Sequence, residues 1–359
     1  MVTHYIITNR QIIRDAAGNE IINNDGREHP GYGLRFAFYT FDPTGQLPDS
    51  VELLPDISDG HEIRYNEATY ATPGSARGSQ KFFLRLYESM ISEPEGDLLL
   101  YIHGFNSDFD SAKQTIRDLH KTYVDVEPRL IKQIVMFTWP AMHQLLEYWD
   151  DSRDAQDSGV ALARVYQKLL RFYLDFFGPS PQRPLNQPCR NNIHLMCHSM
   201  GAQVLESAVQ TLIGLGKIKS LFREIILVAP DVDNDAFEDQ HPLNRLVDMG
   251  GRITSYFNVN DKAMLAAVST KHFRNRLGFT GPRNDNLVPM NVNFVDVSFA
   301  YGPGMSLGDE IVDHNYHLSN PAVVTDITQV LRGVPGGEIT GRMFINYKNI
   351  FRIELSQHF

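Results

Sequence analysis

The chain is poor in cysteine, with only Cys189 and Cys197 among 359 residues. Two thiols cannot staple a fold of this size, so no disulfide framework and no oxidising compartment is indicated. No cysteine pairs at ligand spacing and no His-Glu-x-x-His pattern occur, which sets aside the usual zinc sites, and no metal is expected. Gly302, Gly304 and Gly308 follow a strand-like run but lack the lysine of a phosphate loop. No nucleotide or other cofactor is therefore expected. No run approaches the ~18 apolar residues of a membrane span, so no transmembrane segment is expected. The opening residues Met1 to Arg10 lack the basic start and long apolar run of a signal peptide, which predicts a cytoplasmic protein. Positive charge is in deficit, with 33 Lys and Arg against 43 Asp and Glu and a net charge of -10. That balance speaks against nucleic acid as a partner, because phosphate binding needs a basic face. Nothing in the composition bears on oligomeric state.

What remains is a globular chain. Apolar residues make up 42% and charged residues 21%, as in a protein that buries a sizeable core, with room for one large domain or two ordinary ones. Tyr5 to Thr8 and Leu34 to Phe41 read as early edge strands. Val51 to Tyr70 alternates only weakly, and Ala71 to Gln80 is rich in turn formers. Phe82, Phe83, Leu86, Met90 and Ile91 then line one helical face. Asp97 to Ile102 is a continuous apolar run of the kind buried on both faces of a parallel sheet. Strand and helix alternate from there: a helix capped by Ser107 or Asp108, a strand over Gln133 to Thr138, and a helical pattern through Leu162, Val165, Leu169 and Phe172. Pro179 to Pro188 is a loop into a strand over Ile193 to Met196. Further strands are expected over Glu224 to Ala229, Arg252 to Asn258 and Val292 to Val297. Ser319 with Pro321 opens a last helix that Gly333 closes. This alternation predicts an α/β fold with a mostly parallel central sheet and helices on both faces. Residues 1–96 are expected to extend the sheet with antiparallel edge strands and a helix, 97–333 to form the core, and 334–359 to add a hairpin.

The stretch that organises this layout is Cys197-His198-Ser199-Met200-Gly201, between a buried strand and a helix. It is close to the Gly-x-Ser-x-Gly elbow, in which a serine takes a strained backbone so that its hydroxyl stands clear of strand and helix. Gly201 meets the demand for a small flank, and Cys197 is small enough to meet it on the other side. A chance Ser-x-Gly in a strand-to-helix turn is the plainer alternative.

A serine hydroxyl becomes a useful nucleophile when a histidine held by a carboxylate takes its proton. On this kind of fold the groups come in the order Ser, acid, His, each after a later strand. Asp261 follows the second strand beyond Ser199 and His314 the third. Asp261 has rivals in Asp231 and Asp233, and a simple helix cap is its alternative role. Asp235 and Glu238 read as a solvated helix start. His317 competes with His314, which sits deeper in its loop. His272 reads as a surface residue and His194 as a core histidine. His198 is expected to point away from the base and to be structural. The oxyanion would meet two N–H donors, from Met200 after the nucleophile and from Phe105 in the loop His103-Gly104-Phe105-Asn106. That loop can also be read as a tight turn.

Taken together, Tyr5 to Arg10, His103 to Asn106, Phe137-Thr138-Trp139-Pro140, Cys197 to Gly201, Ala229-Pro230-Asp231-Val232-Asp233 and His314-Asn315-Tyr316 resemble the α/β-hydrolase superfamily. More narrowly they are similar to a bacterial group of serine hydrolases of unknown function, the DUF900 type, over about residues 97 to 333. The resemblance implies the α/β-hydrolase fold and a triad of Ser199, Asp261 and His314, and it favours His314 over His317. It supplies no substrate. The expectation is a serine esterase acting on a small-molecule or lipid-like ester, with Trp139 to Trp149 and Leu277 to Met290 read either as pocket or lid segments or as ordinary surface packing. Acyl transfer, amide or thioester cleavage on the same triad, or a binding module with an idle triad, are the other readings.

Overall fold

The computed structural model describes residues 1–24, 33–55, 78–92, 96–141, 148–177, 191–265, 274–300, 314–346 and 349–353. The Pro179 to Pro188 loop, the Gly302 to Gly308 loop, His272 and most of 51–80 lie outside the described residues. The chain divides into two compact units, one of Met1–Tyr101 with Asn106–Ile193, the other of Ile102–Phe105 with His194–Phe359.

The first unit contains β1 (Val2–Thr8), β2 (Ile12–Arg14), β3 (Glu20–Ile22), β4 (Arg35–Phe41), β5 (Ser50–Leu53), α1 (Gly78–Ile91), β6 (Asp97–Ile102), α2 (Phe109–Leu119), β7 (Ile131–Thr138) and α3 (Tyr148–Phe177). Its strands lie in the order β6-β7-β1-β4-β5. An antiparallel edge is present as expected, but its outermost strand is β5, which the sequence did not single out, and β4 lies one place in. β1, however, lies inside, parallel to β7 on one side and antiparallel to β4 on the other. The reason is visible in its residues: Tyr5, Ile6 and Ile7 are all buried, a continuous apolar run that suits an interior strand. α1 forms because Phe82, Phe83, Leu86 and Met90 recur on one face, and all four are fully buried, whereas Ile91, expected on the same face, is exposed at the helix end. Phe82 meets Tyr5 edge-on at 5.3 Å and lies over Phe38 at 6.1 Å. Burying each such side chain stabilises the fold by about 1.5–3 kcal/mol. Asp108, not Ser107, caps α2, its carboxylate accepting the Ser111 amide at 2.6 Å. Beneath β1 a pair of imidazoles is buried, His4 Nε2 and His120 Nδ1 lying 2.9 Å apart. Burial, with His120 alongside, holds His4 down to about 3.

The second unit carries β8 (Ile193–His198), α4 (Gly201–Leu215), β9 (Phe222–Val228), β10 (Gly250–Phe257), α5 (Leu277–Thr280), β11 (Val292–Asp296), α6 (Tyr316–Ser319), α7 (Pro321–Leu331), β12 (Arg342–Asn346) and β13 (Ile350–Ile353). The strand order is β8-β9-β10-β11-β13-β12. β8 through β11 run parallel, and β13 continues parallel to β11. Only β12 runs antiparallel, as the first arm of the expected hairpin. Ile225, Ile226, Leu227 and Val228 are fully buried in succession, the pattern of a strand covered on both faces. α4 ends where Gly216 takes φ 61°, a left-handed cap. α7 opens on Asn320, whose side chain accepts the amides of Ala322 and Val323, with Pro321 at the first position. Ser319 therefore is not the cap; it belongs to α6 and its hydroxyl donates to the Asn315 carbonyl. The strands and helices together form an α/β fold with a mostly parallel central sheet, and the carboxyl ends of β8 to β11 open on one rim.

Candidate active site

Ser199 stands at the carboxyl end of β8 with φ 52°, a left-handed backbone that a non-glycine residue adopts at a cost of about 1–3 kcal/mol. The turn is held from several sides. The Ser199 amide donates to the Val228 carbonyl at 2.9 Å, and its own carbonyl accepts the amides of Ala202 at 3.0 Å and Asp231 at 3.1 Å. The flanking glycine is required by close approach. A Cβ on Gly201 would stand 2.7 Å from the His103 carbonyl oxygen and 2.8 Å from that of Ile102. Gly104 is equally confined: a Cβ there would lie 2.7 Å from the Ser199 Cβ. Cys197 occupies the other flank as a buried free thiol, and burial pushes its ionisation well up.

After β10 the chain turns at Asp261, which is buried. His314 opens the turn before α6, and its Nδ1 lies 2.7 Å from Asp261 Oδ2. The other oxygen of Asp261 accepts the amides of Ala263 at 2.9 Å and Met264 at 3.0 Å. The two roles foreseen for this carboxylate, helix cap and histidine partner, are thus filled by different oxygens. His314 is reached in turn by His198: Nε2 of His198 lies 3.0 Å from the His314 carbonyl oxygen, and the two rings are 4.7 Å apart. His198 does not point away from His314, as sequence order suggested; it faces it. His317 is fully buried behind, its ring 4.7 Å from that of His198, and burial with His314 nearby holds it down to about 3.

The rival acids are otherwise engaged. Arg276 forms ion pairs with Asp231 at 3.0 Å and Asp233 at 2.7 Å. Asp235 and Glu238 are not a solvated helix start; both are buried and paired with Arg283. The arginines come from the segment around α5, which no local sequence signal links to the acids. That pairing pins the start of the Leu277 to Met290 segment, where Leu277 is buried, while Leu287 and Met290 are exposed. Trp139 is fully buried. Residues 142–147 and the side chains of Tyr148 and Trp149 lie outside the described residues.

On the opposite side of Ser199, His103 Nδ1 donates to the Gly104 carbonyl at 2.8 Å, and Phe105 is half-buried. Met200 caps α4 with its amide among the first of the helix, where backbone donors lack intrahelical partners. Sequence reasoning missed one anchor. The Tyr316 hydroxyl accepts the Ala229 amide at 2.8 Å and donates to the Tyr256 carbonyl at 3.0 Å. It thereby ties the His314 turn to the ends of β9 and β10. Burial, with Asp261 nearby, pushes this phenol well up, so the hydroxyl keeps the proton it donates. Among the described residues no helix is long and apolar enough to cross a membrane.

The family described as "Alpha/beta hydrolase of unknown function (DUF900)" matches residues 80–333, more than half of the chain. The chain belongs to this family. Its α/β-hydrolase membership accounts for the parallel sheet and the strand-to-helix turn at Ser199. Among solved structures it is similar to lipase B of Aspergillus fumigatus at 10% identity, over 66% of this chain and 52% of that one, with a TM-score of 0.37. It is also similar to an alpha-beta serine hydrolase homologue from Coxiella burnetii, at 15% identity over 67% of this chain and 85% of that one, TM-score 0.30. Acyl-protein thioesterase 2 of Zea mays matches at 12% identity over 66% and 93%, TM-score 0.31. No curated protein sequence matches the chain.

Proposed function

We propose that this family member is a serine hydrolase that cleaves carboxylic esters of small or lipid-like molecules through an acyl-enzyme. Ser199 is the nucleophile, His314 the general base and acid, and Asp261 the carboxylate that orients His314. The amides of Phe105 and Met200 receive the oxyanion. The observation that carries the reading is the 2.7 Å contact of His314 Nδ1 with a buried carboxylate, in a turn bonded to the residue next to the strained Ser199.

The chemistry follows from that arrangement. With Nδ1 committed to Asp261, the imidazole has Nε2 left for the Ser199 proton. Oγ attacks the ester carbonyl while Nε2 takes its proton, and the carbonyl electrons move onto oxygen. Two preorganised amides stabilise that charge, each worth about 10²–10³ in rate, and the start of α4 adds its dipole. The tetrahedral intermediate collapses as Nε2 returns the proton to the leaving alkoxide. Water, deprotonated by the same nitrogen, then releases the acid and restores Ser199. Asp261 keeps its charge throughout and stabilises the imidazolium.

Ser199→Ala is expected to lose turnover of p-nitrophenyl acetate and labelling by a fluorophosphonate probe, with its thermal midpoint nearly unchanged. Undiminished turnover in that variant would refute the assignment.

A further inference from the structure

His198 lies between the two walls of the site. On one side its Nε2 is 3.0 Å from the His314 carbonyl oxygen, and its ring is tilted over those of His314 and His317, each at 4.7 Å. On the other side its Nδ1 edge abuts Gly104, where a Cβ would come within 3.2 Å of that nitrogen. A carbonyl oxygen only accepts, so Nε2 is the nitrogen that carries the proton. His198 is buried, and burial with His314, His317 and His103 around it keeps its imidazole neutral. The ring therefore offers one donor, aimed at the backbone of His314. As the neighbour of Ser199 in the chain, it measures the gap between the oxyanion loop and the turn of the base.

We propose that His198 is a positioning residue: its Nε2–H bond to the His314 carbonyl sets where that imidazole stands relative to Ser199 and Gly104. The inference rests on His314 being the general base. A turn displaced by an ångström loses much of the rate while substrate binding is little affected, since the bond touches neither acyl nor alcohol group.

Three variants separate the bond from the bulk. His198→Gln carries an amide donor near the place of Nε2, His198→Asn carries the same amide one methylene short, and His198→Phe keeps a ring without a donor. With p-nitrophenyl acetate, the Asn and Phe variants should lose about 10²-fold in kcat with KM within about threefold. His198→Gln should recover at least about tenfold of that loss, and rates of fluorophosphonate labelling should follow the same order. Equal kcat in the Gln and Asn variants overturns the inference, whether both are active or both impaired, because a purely structural role does not depend on the reach of the donor. His314→Ala, measured alongside, tests the underlying reading. If it still turns over ester, the base is wrongly assigned; if it is dead while His198→Phe is fully active, only the role of His198 falls.

Discussion

Asp261 divides its carboxylate between two tasks, Oδ2 meeting Nδ1 of His314 at 2.7 Å while Oδ1 accepts the amides of Ala263 and Met264. The division lets the role proposed for Asp261 be tested without confusing catalysis with folding. Asp261→Asn keeps an oxygen for the two amides but presents a neutral group to His314. It should lower kcat by about 10³–10⁴-fold with little change in stability. Asp261→Ala should match that loss and also cost about 0.5–2 kcal/mol in urea denaturation, because the cap is gone. Asp231→Asn provides the contrast. It breaks a buried ion pair with Arg276 and so destabilises the protein, yet it should keep kcat within about tenfold of wild type. A folded Asp231→Asn protein as inactive as Asp261→Asn would move the acid to the earlier strand.

The parts of the fold legible in sequence were those fixed by local pattern. The stripe Phe82, Phe83, Leu86, Met90 and the run Ile225 to Val228 name their own elements, because burial on one or both faces leaves a period in the residues. The Ser199 turn was legible for the same reason: a small residue, Gly201, is demanded within two positions. What could not be read were relations between distant segments. Nothing around Asp235 or Glu238 announces Arg283, and nothing around His198 announces the carbonyl of His314. The edge placement of β1 failed likewise, since its neighbour β7 lies more than a hundred residues away and only tertiary pairing makes it interior.

Gly104 offers a test of how tightly the loop proposed to receive the oxyanion is held against Ser199. A methyl group at this position would sit 2.7 Å from the Ser199 Cβ and 3.2 Å from the His198 carbonyl oxygen. Neither neighbour is the free end of a long side chain, so loop and turn must separate. Gly104→Ala is expected to cost about 1–3 kcal/mol in denaturation and about 10²-fold in kcat. Wild-type labelling by a fluorophosphonate would mean that the loop has room the structure does not show.

Tyr316 is a second test, on the other wall. Its hydroxyl bridges Ala229, at φ 46°, and the Tyr256 carbonyl, two residues along the chain from His314. Tyr316→Phe preserves the ring and removes the bridge. The Ala229 amide retains the Tyr256 carbonyl at 3.1 Å, so the stability loss should be modest, about 0.5–1.5 kcal/mol. Activity should suffer more, by about tenfold in kcat, because the His314 turn loses its tie to two strands. A variant with lowered stability and unchanged kcat would show that the bridge serves the fold alone.

The buried pair His4 and His120 should make stability depend on pH, and the sign follows from where His4 titrates. Its ordinary value is 6.5 and the folded protein lowers it to about 3, chiefly by burial. Above 6.5 neither the folded nor the unfolded chain holds the proton. Between 6.5 and 3 the unfolded chain binds a proton that the folded chain refuses, so folding weakens as pH falls. The contribution is therefore intact above 6.5 and wholly lost near 3. The slope is about 1.4 kcal/mol per pH unit for one such group. His317 is lowered to about 3 and His198 is lowered as well, so they add to the same acid limb. His4→Gln removes one titrating ring while leaving an amide that can bond His120. Comparing urea denaturation at pH 7 and pH 5, the wild type should lose about 2 kcal/mol more than the variant. Equal losses in the two proteins would mean that the proton taken up on unfolding belongs elsewhere.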